Sequence, residues 1–245
     1  MDLTKRQDLG PATVGRSYIE AHQLSLADLR MKAYQNVDLA FNRAEASAVC
    51  AQDKGGKTEL LLTLAGRMRP SSGSCMVGGQ DVRTLAGMRR VRKHAALAFF
   101  ENVNDVERVL KVRAIVSAEL GLAGKPSNKA ATLEFCREWG LGDVADQIIE
   151  DLPRPSYNVL GIALAMAHDP KILVVDDIER DMTEHESICL AERLCELAHE
   201  RGVTVVCGVL DYDLAARFDN VACITDEARA QQSAWMHKDQ AGKVA

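Results

Sequence analysis

The chain has 245 residues, a net charge of −5 and 47% hydrophobic residues, with aromatics at only 4%. That is enough for one large α/β domain or two small lobes around a mostly aliphatic core. The acidic balance excludes the broad positive surface that nucleic-acid backbones require, and no apolar run reaches the ~18 residues of a membrane span.

In chain order, residues 1–16 read as a loose polar leader without an apolar signal core. Tyr18–Ala21 and Val37–Phe41 alternate apolar and polar residues as half-buried strands do. Ala46–Cys50 reads as a short buried strand, and Glu59–Gly66 as a helix. Ser71–Ser74 is a turn, followed by a short strand at Cys75–Val77. Met88–His94 is a basic cluster read as a solvated face. Ala95–Phe100 is an apolar strand. From about Val112 to Leu164 the pattern is helical, broken at Lys125-Pro126-Ser127 with Ser127 as N-cap. Lys171–Asp177 is a buried strand ending in two acids. Glu184–Arg201 is an amphipathic helix, Val203–Val209 a buried strand, and Val221–Ile224 one more. Strands alternating with helices predict a mostly parallel sheet wrapped by helices, with a helical insert between about 101 and 165 forming a second lobe. The tail after about Asp226 is weakly patterned. No two of the seven cysteines make a C-x-x-C pair, so they read as small buried hydrophobes in a reducing cytoplasm.

Between the Ala46–Cys50 strand and its helix lies Ala51-Gln52-Asp53-Lys54-Gly55-Gly56-Lys57-Thr58. This is the phosphate-loop pattern G-x-x-x-x-G-K-[ST] with alanine in the first glycine's place. The chemistry needs backbone N–H groups curled around phosphates, a lysine for the outer phosphates and a hydroxyl for Mg²⁺. Gly55, Gly56, Lys57, Thr58 and Glu59 are therefore the candidate nucleotide-binding residues. The competing reading is a Gly-Gly turn with a surface lysine. Lys54 either helps hold the phosphates or occupies the pocket itself.

A buried strand ending in aspartate supplies the second Mg²⁺ contact in such proteins. Asp176 is the candidate, making Thr58 and Asp176 the metal pair, and Asp177 is a candidate base for water. Alone, these acids read more readily as caps on the next turn. Together with Gly56-Lys57-Thr58 they point to a nucleotide site.

The chain resembles the ATP-binding cassette (ABC) ATPases over about residues 18–226. Gly56-Lys57-Thr58 is followed by Leu64-Ala65-Gly66 and Arg69-Pro70-Ser71-Ser72-Gly73 as in that family. Ala163–Pro170 and Lys171–Asp177 look like its helix and acidic strand. The resemblance implies an α/β P-loop NTPase of ABC type: a mostly parallel sheet core, an antiparallel β part and a helical lobe of about 101–165, within an ATP-binding domain at 17–226 followed by a tail at 227–245. It also implies ATP and Mg²⁺ as cofactors and a membrane permease as partner. The chain would not itself span the membrane but would lie in the cytoplasm, peripheral at the membrane's cytoplasmic face. No nucleic acid is expected.

Several positions depart from the family pattern. The signature L-S-G-G-Q falls on Leu152-Pro153-Arg154-Pro155-Ser156, where two prolines remove N–H donors. Asp177 stands for the usual glutamate and is one methylene shorter. The switch histidine falls at Val209-Leu210, and the switch glutamine at Phe100 or Glu101, of which only Glu101 suits a metal or water. No aromatic occupies Leu26–Leu29, where one should stack on adenine, and Tyr34 is the nearest. The D-loop aspartate aligns with Thr183. These changes predict a degenerate cassette, an ATP-binding subunit whose hydrolysis is weak or absent. It would couple nucleotide binding to a permease, with or without a second, competent ABC subunit. The alternative is a non-catalytic pseudo-ATPase acting as a structural or regulatory partner of a permease or of a second ABC subunit.

Overall fold

The computed structural model describes residues 17–27, 32–51, 56–100, 103–104 and 106–224. The leader at 1–16, the tail at 227–245, Gly55 and Glu101 lie outside the described residues.

Two sheets form the framework. Strands β1 (Ile19–Ala27), β2 (Lys32–Phe41), β4 (Ser72–Val77) and β5 (Gln80–Asp81) make an antiparallel sheet in the order β2-β1-β4-β5. Strands β3 (Ala46–Cys50), β6 (Ala95–Leu97), β7 (Ile172–Val175), β8 (Thr204–Val209) and β9 (Asn220–Cys223) make a parallel sheet in the order β6-β7-β8-β3-β9. Every residue of β3, β7 and β8 is buried. Such unbroken apolar runs belong to strands covered on both faces.

The period of two divides these strands between two cores. Ile172 and Val174 face a cluster shared with α1 (Lys57–Leu64) and the antiparallel sheet, including Leu60, Leu61, Leu24 and Phe41. Leu173 and Val175 face the other cluster, with Leu160 and Ala163 of α5 (Arg154–Met166) and Leu190 and Leu194 of α6 (Glu184–Arg201). Between β6 and β7 the chain forms α3 (Val112–Leu122), α4 (Lys129–Glu138), a 3₁₀ turn at Ile149–Asp151 and α5. The expected fold class, a parallel core with an antiparallel part and a helical portion, is the one observed.

Several local expectations shift. Asn128, not Ser127, caps α4, because its side chain accepts the Ala131 N–H at 3.0 Å. The basic cluster builds α2 (Leu85–Arg92), which buries Met88 and Val91 and exposes Arg89 and Arg90. The short helix α7 (Tyr212–Ala215) has no counterpart in the sequence reading; Asp211 caps it. Helix α6 has the expected bounds because both ends are encoded: Thr183 and Glu186 form a capping box, and Gly202 stops it at φ +63°. All seven cysteines are free thiols. Among the described residues, no helix is long and apolar enough to cross a membrane.

Candidate nucleotide site

In an open parallel sheet, ligands bind beyond the carboxyl ends of the strands. Here β3 runs into the glycine-rich loop, and β7, two strands away across β8, ends at Asp176. Gly56 is the N-cap of α1 and lies in the left-handed region, at φ +72°. A Cβ there would lie 1.9 Å from the Ala33 carbonyl oxygen, so strand β2 admits only glycine at this turn. The first turn of a helix has N–H groups without intrahelical partners, and here that turn carries Lys57, Thr58 and Glu59, a placement that suits an anion.

Lys57 and Thr58 meet the acids of β7. The Lys57 ammonium donates to Asp176 Oδ1 at 2.5 Å and also contacts Asp177 Oδ1. Thr58 Oγ1 donates to Asp176 Oδ2 at 2.5 Å. The Asp177 N–H donates back to Asp176 Oδ1 at 2.9 Å, with Asp177 at φ +50°. Lys57 and Asp176 are buried, with side chains 7% and 6% exposed, whereas Asp177 is 38% exposed. Burial draws the Lys57 pKa down, but the two carboxylates more than offset it and leave it above the usual lysine value. Burial raises Asp176, the neighbouring Asp177 charge adds to this, and Lys57 and Thr58 oppose it; the net direction is upward.

The sequence reading missed Gly208 on β8. A Cβ at Gly208 would stand 2.2 Å from Asp176 Oδ1, 2.8 Å from Leu61 Cδ1 and 3.1 Å from Lys57 Cδ. The strand between β3 and β7 thus needs a bare backbone where the lysine crosses it. The available signal was a lone glycine inside the aliphatic run Val203–Val209. Glu179 was also missed. Its carboxylate accepts the Leu210 and Asp211 N–H groups at 2.8 and 2.7 Å, tying the end of β8 to the segment after β7. Burial raises its pKa, against those two donors.

The remaining candidates separate from this centre. Phe100 is 1% exposed and belongs to the core with Leu60 and Leu61. Tyr34 is 3% exposed, and its hydroxyl donates to Thr63 Oγ1 at 2.8 Å, so it is a core residue and offers no shelf for a base. Val209 is fully buried, and Leu210 is 45% exposed. Pro153-Arg154-Pro155 forms the start of α5, with Pro153 as its N-cap. The Arg154 and Arg108 guanidinium carbons lie 5.2 and 5.7 Å from the Tyr157 ring centre, and Phe99 packs on that ring at 4.6 Å. Thr183 caps α6.

A parallel sheet with a glycine turn, a helix-borne Lys-Thr pair and an acid at the end of the strand next but one defines a P-loop NTPase fold. The chain belongs to the ABC transporter family, whose model matches residues 34–179. It is 28% identical over 201 residues to the methionine import ATP-binding protein MetN of Caulobacter vibrioides, covering 80% of this chain and 60% of that protein. It is 30% identical over 201 residues to MetN 2 of Pectobacterium atrosepticum, covering 79% and 58%. The chain thus spans about 60% of the length of the curated relatives it matches. In structure it resembles cbiO1 of Clostridium perfringens, part of the cbiONQ transporter complex, with a TM-score of 0.72 at 18% identity, covering 86% of this chain and 85% of that one. It also resembles the dimeric ATP-binding cassette MJ0796 bound to ADP and Pi, with a TM-score of 0.70 at 18% identity, covering 85% and 94%.

Proposed function

We propose that this chain is the ATP-binding subunit of an ABC-type transporter, binding ATP with Mg²⁺ in front of α1 and hydrolysing it weakly or not at all. One observation carries the reading: the adjacent Lys57 and Thr58 meet Asp176, more than a hundred residues away in sequence, at the start of α1. Lys57 is the cation for the outer phosphates, and the first turn of α1, continued by Gly55 and Gly56, is the N–H cradle. The Thr58 hydroxyl and the Asp176 carboxylate are hard oxygen donors already within contact of each other, a donor set that suits Mg²⁺. When bound, Mg²⁺ neutralises phosphate charge.

The relatives' role as methionine import ATP-binding proteins supports placing this chain in a transport system, docked on a membrane permease at its cytoplasmic face. In this reading residues 17–226 form the ATP-binding domain, with the stretch of about 101–165 as its inserted helical lobe. Weak turnover follows from the residues that replace the family's catalytic groups. Val209 and Leu210 present no polar side chain to a γ-phosphate. Pro153 and Pro155 donate no N–H, and Asp177 lies on Lys57 rather than apart from it as a base for water. The same features favour a second reading, a pseudo-ATPase that binds nucleotide and completes a heteromeric assembly with a competent ABC subunit.

Titration with a fluorescent ATP analogue, with and without Mg²⁺, tests the proposal. Saturable binding that tightens with Mg²⁺ is the expected result, and no binding under either condition would overturn it.

A further inference from the structure

We propose that Asp177 is a tether on Lys57: in the nucleotide-free protein its carboxylate holds the ammonium, and a polyphosphate binds by displacing it. The inference rests on the nucleotide-binding reading and adds a control on that site.

Three observations carry it. First, two carboxylates share one ammonium, since Lys57 contacts both Asp176 and Asp177. Asp176 is the buried partner, lodged over Gly208, and it also takes the Thr58 hydroxyl. Charge neutrality of the buried pair is complete without Asp177, so these three groups together carry a surplus negative charge that would oppose a polyanion at Lys57. Second, Asp177 is the solvent-side member, 38% exposed against 7% for Lys57. Its carboxylate is therefore the one of the two that solvent reaches. Third, the backbone aims it at Lys57. Asp177 adopts φ +50°, and its N–H bonds to Asp176 Oδ1 at 2.9 Å, turning the chain sharply past the end of β7. An aspartate at that turn reaches back to Lys57.

Displacing the tether costs binding free energy twice. The Lys57–Asp177 contact is broken, and the released carboxylate repels the phosphates. The substitution that separates charge from shape is Asp177→Asn, because asparagine is isosteric and tolerates positive φ. Asp177→Gly is the second variant, also compatible with that backbone and free of any side chain.

The experiment is a Mg²⁺-free titration of the fluorescent ATP analogue into wild type, Asp177→Asn, Asp177→Gly, Lys57→Ala and Lys57→Ala/Asp177→Asn, each checked for native circular dichroism. The tether predicts about tenfold tighter binding by both Asp177 variants, the scale of one charge-assisted contact. The gain should be smaller by about threefold or more in the Lys57→Ala background, where only the repulsion between Asp177 and the phosphates remains to be relieved. Unchanged or weaker binding by the Asp177 variants, with wild type still binding, would overturn the tether alone. An equal gain in both backgrounds would also overturn it, showing simple repulsion that does not act through Lys57. Silence from wild type and variants alike would overturn the nucleotide reading together with the tether.

Discussion

A Cβ on Gly208 would stand 2.2 Å from Asp176 Oδ1, so the strand between the phosphate loop and the acidic strand end has to be bare at this point. Gly208→Ala should therefore push Asp176 out of reach of Lys57 and Thr58. Overpacking of this kind costs about 1–3 kcal/mol, which urea unfolding would measure. The variant should also lose the Mg²⁺-dependent part of nucleotide binding. An alanine variant as stable as wild type, with unchanged binding, would show that the cleft accommodates the methyl group.

Lys57→Ala should weaken ATP-analogue binding by about 1.5–3 kcal/mol, the scale of a hydrogen bond to a charged group. Thr58→Ala should instead abolish the tightening by Mg²⁺ and leave Mg²⁺-free binding within about twofold, because the hydroxyl is assigned to the metal and the lysine to phosphate. Equal affinity for wild type and Lys57→Ala would mark the loop as vestigial.

Phosphate release by the isolated chain should lie at or near background. Removing a single oriented donor to a developing charge typically costs ~10²–10³ in rate, and in the proposed reading Val209, Leu210, Pro153 and Pro155 replace several such donors. Robust turnover abolished by Asp177→Asn would reverse this, making Asp177 a working base despite its contact with Lys57.

Tyr34→Phe separates core packing from base stacking. The Tyr34 hydroxyl bonds Thr63 inside the core between the sheets. Its loss should lower stability by about 0.5–1.5 kcal/mol without changing nucleotide affinity. A drop in affinity at constant stability would assign the ring to the adenine.

Light scattering with ATP and Mg²⁺ should find a monomer. A two-fold symmetric dimer repeats each defect of its interface twice. At the start of α5 stand two prolines and Arg154, which in the proposed reading replace small residues with N–H donors that a close approach needs. An ATP-dependent homodimer disrupted by Arg154→Ala would instead make Arg154 a replacement for the lost motif.

Much of this protein is written locally. Mostly apolar runs at Ala46–Cys50, Ile172–Val175 and Val203–Val209 are buried along their length, as parallel strands covered on both faces are. Thr183, Glu186 and Gly202 encode both ends of α6 in a few residues. Gly56-Lys57-Thr58 carries its chemistry in its own spacing, so family and fold class were legible from order and pattern. What the sequence could not contain is the meeting of distant residues. Strand order alone puts β8 between β3 and β7, and only that order makes Gly208 indispensable and lets Lys57 cross to Asp176. Asp177 reads in sequence as a candidate base; the positive φ at the end of β7 turns it onto Lys57. Tyr34 reads as the aromatic nearest the expected adenine shelf; packing of β2 against α1 makes it core. Local propensity and periodicity fix the elements, whereas contacts between them depend on sheet order and backbone turns, which no short segment encodes.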